Sequence, residues 1–210
     1  RSSDLKDAES THAVAGCVDH HHTHTHDRKI LWIAFGLNFP LFVLEVWQGM
    51  HADSTSLLAD SMDFLSDSFS YLITLYVIAK PLHIRAKASL FKASLMLLLA
   101  AAALTQGVNN ILHGDTPHYP TMGWVGSLAL IANLATAALL YNTRGRDSNM
   151  RSIWLCSRND ALANIFIIIA AGLVYATGTL WPDLIVALII TWLEGGSAIQ
   201  IIRQARKELS

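Results

Sequence analysis

The chain has 210 residues, of which 52% are hydrophobic and 15% charged, with a formal net charge of −1. A soluble domain carries about a quarter charged residues. This composition, with a mean hydropathy of +0.37, excludes an ordinary soluble globular protein and points to an integral membrane protein.

Residues 1–29 are polar and unpatterned, and contain no apolar run of the kind a secretory leader needs. They hold Cys17 and a cluster of imidazoles, His20, His21, His22, His24 and His26. Imidazole near neutral pH binds Zn²⁺ and similar ions readily. A purification tag is the plain alternative, but a tag is usually uninterrupted, and Thr23 and Thr25 break this run. We read it as a metal-collecting tail. Cys17 and Cys156 do not make the pattern of a disulfide framework.

Six apolar segments follow, approximately 30–50, 56–78, 90–112, 122–141, 150–178 and 180–202. Each has the ~20 residues a helix needs to cross about 30 Å of hydrocarbon. Pro81, Pro117, Pro120 and Pro182 lie near segment ends, whereas Pro40 falls inside the first and is expected to kink it. Lys and Arg mark alternate connections and the two ends, with Arg28 and Lys29; Lys80, Arg85 and Lys87; Arg144, Arg146 and Arg151; and Arg203, Arg206 and Lys207, while the other three connections hold none. The positive-inside rule then gives an all-α polytopic membrane protein with six transmembrane helices and both termini cytoplasmic. The outward connections carry His51, Asp53, His113, Asp115, His118 and Asp183, a mildly acidic surface.

Two segments contain chemistry. The second holds Asp60, Asp63 and Asp67, and the fifth holds Cys156, Asp160 and Asn164. Spacings of three and four residues put each set on one helix face. An ionised Asp in a membrane helix costs several kcal/mol unless it is paired, protonated or bound to a cation. Arg158 is the one nearby counter-charge in the fifth segment, too little for three carboxylates. Two facing helices that each offer an i,i+4 pair can place four ligands around one ion. Three carboxylates and a thiolate suit a four-coordinate ion such as Zn²⁺. Asn38, Glu45, Gln106, Asn109, Asn133 and Glu194 are read first as interhelical hydrogen-bond partners.

The run Ser56-Leu57-Leu58-Ala59-Asp60 through Leu65-Ser66-Asp67 resembles the second transmembrane helix of the cation diffusion facilitator family. Asp160-Ala161-Leu162-Ala163-Asn164 is similar to that family's fifth helix, and Trp181-Pro182-Asp183 to its sixth. The resemblance spans residues 29–207. It implies a homodimeric exporter of divalent transition metals, driven by proton exchange, with one tetrahedral site per protomer between helices two and five. Carried over by position, the ligands are Asp63, Asp67, Cys156 and Asp160, with Asp60, Asn164 and the five tail histidines as accessory donors. Cys156 stands where the family commonly has His or Asp, and the softer thiolate favours Zn²⁺ and Cd²⁺. The sequence stops at Ser210, so a version without the family's cytoplasmic domain is expected.

No prosthetic group and no enzymatic activity are expected; Zn²⁺ or Cd²⁺ is the transported substrate. The partners are metal ions, protons, the lipid bilayer and a second copy of the chain, with no nucleic acid, in a bacterial inner membrane. Three other readings stay open at this stage. One is a membrane-embedded metallohydrolase, one a metal-binding subunit that does not transport, and one a transporter whose main substrate is Mn²⁺, Co²⁺ or Fe²⁺.

Overall fold

Residues 28–77, 80–142 and 148–209 are described by the computed structural model, and they form six helices with no strand among them. Cys17 and the tail histidines lie outside the described residues. Helix α1 spans Arg28–His51 and continues through Pro40. Helix α2 covers Thr55–Leu72 and runs on into a π-helical turn, Ile73–Val77. Then come α3, Leu82–His113, α4, Tyr119–Tyr141, α5, Ser148–Thr177, and α6, Trp181–Leu209.

Local chemistry sets the ends. Ser54 caps α2, its Oγ accepting from the Leu57 N–H at 3.3 Å. Gly114 ends α3 in the left-handed region at φ 72°. Pro120 sits in the first turn of α4, where its missing N–H costs nothing. α3 starts eight residues before the apolar run at Leu90, because Pro81 sets its first turn and the polar stretch up to Ser89 is helical too.

Helices α1, α3, α4, α5 and α6 are long and apolar enough to cross a membrane. Their outward faces are apolar as well, Trp192 being 82% exposed and Trp47 and Leu98 also exposed. Such a surface is costly in water and suited to hydrocarbon. α2 falls short of that hydropathy because of Asp60, Asp63, Asp67 and its many serines. It instead lies inside the bundle: nearly every residue from Thr55 to Tyr71 is buried. α4 packs along α5 and α3 along α6, and α2 touches α3, α5 and α6. α1 meets α2 and α4 where Leu41, Phe64, Ala129 and Ala132 pack together.

The Ser54 end of α2 is tightly held. Asp183, read from sequence as part of an outward loop surface, is 1% exposed and belongs to the first turn of α6. Its Oδ1 accepts from the Ser54 hydroxyl at 2.8 Å, the Ser56 hydroxyl at 2.5 Å and the Ser56 N–H at 3.1 Å. Its Oδ2 accepts from the Thr55 N–H at 2.7 Å. A carboxylate from one helix thus satisfies the open N–H groups and complements the dipole of another. The preceding turn is pinned from α3 and α4. Gln106 donates to Asp53 Oδ1 at 2.9 Å, Asn110 Nδ2 donates to the Asp53 carbonyl at 2.6 Å, and the His118 N–H donates to the Ala52 carbonyl at 2.9 Å. Asp53 itself has φ 52°, a conformation Asp tolerates better than most residues. Beneath the cap lies an apolar plug that includes Leu57, Leu58, Met62, Met122, Val125 and Ile167.

α1 approaches this end closely at Gly49, where an added Cβ would lie 2.9 Å from the Leu58 nitrogen. Backbone cannot yield as a side-chain tip can. Gly49→Ala is therefore expected to destabilise the bundle by about 2 kcal/mol through overpacking. Thermal unfolding of the purified protein in detergent measures this, and an unshifted midpoint contradicts the contact.

Candidate metal centre

Buried carboxylates of α2 set the chemistry of the interior. Asp60, Asp63 and Asp67 are all buried. Asp63, 6% exposed, is the hub: it lies close enough to Asp60, Asp67, Asp160 and Glu194 for all four charges to act on it. Its Oδ1 has no hydrogen-bond partner. Leaving a buried carboxylate oxygen unpartnered is expensive in a low-dielectric interior, and a bound proton or cation removes the cost.

Asp63 faces a cavity of about 280 Å³ between α2, α5 and α6. Asp160 and Glu194 line the same cavity, with Asn159 and Ser197 as neutral polar neighbours. A larger apolar groove of about 300 Å³ runs beside it on the α5–α6 face; Asn159, Ala163, Ile190 and Leu193 border both.

Asp67 sits one turn along α2 and is differently supported. Its Oδ2 accepts from the Tyr71 hydroxyl at 2.9 Å and the Ser157 hydroxyl at 3.2 Å. These donors hold one oxygen in place. Cys156, a neighbour of Ser157 on α5, is a free thiol on the exposed side of this chain; the charges of Asp67 and Asp160 still reach it. Asn164 is buried and spends its amide on the Asp160 carbonyl at 2.9 Å, leaving its Oδ1 unpartnered. Of the four residues carried over by position, Asp63 and Asp160 share the cavity wall, while Asp67 is held by Tyr71 and Ser157 and Cys156 is exposed. Among the described residues no three acids, thiols or imidazoles are close enough to hold an ion between them. Gripping one from this arrangement takes side-chain rotation or a small shift of α5 or α6.

Asp60 is placed elsewhere. With both oxygens unpartnered, it is fully buried against Glu45 of α1, whose oxygens are also unpartnered. The Glu45 carboxyl group is close enough for the Asp60 charge to act on it. Among the other polar residues, Asn38 donates to Thr136 at 3.2 Å and to the Ala34 carbonyl, as an interhelical partner should. Arg158 turns away from the acids, donating to Asn159 at 3.2 Å and lying over the Trp154 ring.

Sequence reasoning missed two members of the cluster. Lys92 of α3 is buried, donates to Ser70 Oγ at 2.9 Å and feels the charges of Asp67, Cys156 and Glu194. A lysine inside the apolar run that starts at Leu90 was the available signal. Tyr71, fully buried beneath Asp67, was hidden in an aromatic stretch with no polar pattern of its own.

The profile of the cation efflux transmembrane domain matches residues 31–81 and 83–210. No curated protein matches the chain significantly.

Proposed function

Since this chain belongs to the cation efflux family, whose members are multi-pass membrane transporters of metal cations, we propose that it exports Zn²⁺, and also Cd²⁺, in exchange for protons. The observation that carries the reading is the cavity lined by both Asp63 and Asp160, Asp63 being buried with its Oδ1 unpartnered. Such a site attracts a divalent cation, and metal binding there displaces protons from the acids, which couples the two fluxes.

In this reading Asp63, Asp67, Cys156 and Asp160 are the transport ligands. Tyr71 and Ser157 orient Asp67 by donating to its Oδ2. All six helices span a bacterial inner membrane, α2 being the central polar one, and the Lys and Arg distribution supports cytoplasmic termini. The capped, plugged Ser54 end of α2 is then external, and ions enter from the cytoplasmic side. Two copies form the working unit, and the histidines at 20–22, 24 and 26 gather metal near the mouth.

Metal-competition flux into proteoliposomes under an imposed pH gradient tests the reading. Zn²⁺ uptake should follow the proton gradient, with Cd²⁺ the stronger and Mn²⁺ the weaker competitor. Flux of no divalent ion sinks it. Cys156→Ser is expected to lower the preference for Cd²⁺ over Zn²⁺ by about 10-fold while flux persists, since an oxygen donor replaces a soft one.

A further inference from the structure

We infer that Glu194 of α6 is a further metal ligand, so that the ion is gripped by three helices rather than two. The inference rests on the transport reading above and extends its donor set. From sequence Glu194 is a lone acid, equally at home as an interhelical hydrogen-bond partner. The structure gives it other company. It lines the cavity with Asp63 and Asp160, close enough for its charge to act on Asp63. Acids that share one buried cavity repel one another unless a proton or a cation lies among them. Asp63, which lines the same cavity, is 6% exposed and its Oδ1 has no partner. Asp160 and Asn159 of α5 line that cavity too, so Glu194 faces α5 as well as α2.

The helix leaves room for the side chain to move. A Cβ added at Gly195 or Gly196 would meet nothing within 4 Å. The glycine pair borders open space within this chain. Asp63, Asp160 and Glu194 together offer up to six carboxylate oxygens and three negative charges. Hard oxygen donors accept Mn²⁺, Fe²⁺ and Co²⁺ as well as Zn²⁺, whereas thiolate favours Cd²⁺ and Zn²⁺. Glu194 therefore broadens the substrate class toward the harder divalent ions, and Cys156 pulls it the other way.

Calorimetric titration of the full chain in lipid nanodiscs with Mn²⁺, Zn²⁺ and Cd²⁺ tests this. Glu194→Gln keeps shape and hydrogen-bonding capacity but removes the charge. It is expected to weaken Mn²⁺ binding about 30-fold, Zn²⁺ about 10-fold and Cd²⁺ least. Glu194→Asp, which keeps the charge on a shorter stem, should recover part of the Mn²⁺ affinity; a merely structural partner predicts no such metal-dependent order. If Glu194→Gln does not fold, the Glu194→Asp titration alone decides, with a Mn²⁺ loss larger than the Cd²⁺ loss expected. Wild-type affinity for all three metals in the glutamine variant, with binding lost in Asp63→Asn, overturns the role of Glu194 and leaves the transport site standing. Wild-type binding in Asp63→Asn and Asp160→Asn as well overturns both.

Discussion

Asp63→Ala is expected to reduce Zn²⁺ flux in proteoliposomes by more than about 100-fold, with Asp160→Ala nearly as severe. Asp63 has four other acids within electrostatic reach and an oxygen without a partner. On the proposed transport reading, removing it takes away a ligand and a charge that compensates a divalent ion in a poorly solvated cavity. The alternative, that Asp63 is a passive cavity-lining group, predicts an unharmed or even more stable protein, because deleting one of several mutually repelling acids relieves strain. Stability and flux should therefore move in opposite directions: an equal or higher thermal midpoint and lost transport. Near-normal flux in both alanine variants would remove these residues from the pathway. Asp67→Ala is a weaker lever, since Tyr71 and Ser157 hold one of its oxygens.

The second large effect concerns stability. Asp183→Ala strips the partner from two backbone N–H groups and two hydroxyls at the start of α2, all in buried residues. An unsatisfied buried donor costs about 1–3 kcal/mol, and some of these will find water, so a net loss of about 3 kcal/mol is expected. Asp183→Asn should cost less, because its amide oxygen still accepts, although its NH₂ group faces a donor where Oδ2 accepted. Thermal unfolding in detergent gives the measurement. An alanine variant with the wild-type midpoint shows that the cap contributes nothing.

The two kinds of acid were not equally legible in the sequence. Asp63 and Asp67 announce themselves because spacing of four inside an apolar run has a direct meaning on a helix. The same spacing puts Cys156 and Asp160 on one side of α5, but it does not say how α5 is rotated about its axis. In the structure Asp160 reaches the cavity and Cys156 is exposed. Glu194 and Lys92 are single polar residues without a periodic companion; what they face depends on which helices pack together, and only tertiary contacts decide that. Asp183 looked like a loop acid because it adjoins Pro182 at a segment boundary. It is buried because α6 begins beside the first turn of α2. The helical fold itself was easier to see, since five helices have the length and hydropathy of membrane spans. The polar α2 is the helix whose placement needed the structure.

The contrast between the two ends of α2 has a mechanical consequence. One end is bolted through Ser54, Thr55 and Ser56 to Asp183; the other relaxes into the wider π turn at Ile73–Val77. At 1.5 Å per residue, Asp63 lies about 10 Å from the bolted end and the π turn about 30 Å from it. A tilt about that fulcrum moves the far end roughly three times as far as the carboxylate. On the proposed transport reading the helix works as a lever: a swing wide enough to clear a path for a hydrated ion would displace Asp63 by only a third as much, so one motion would set the grip on the cargo and the width of the gate at different gains.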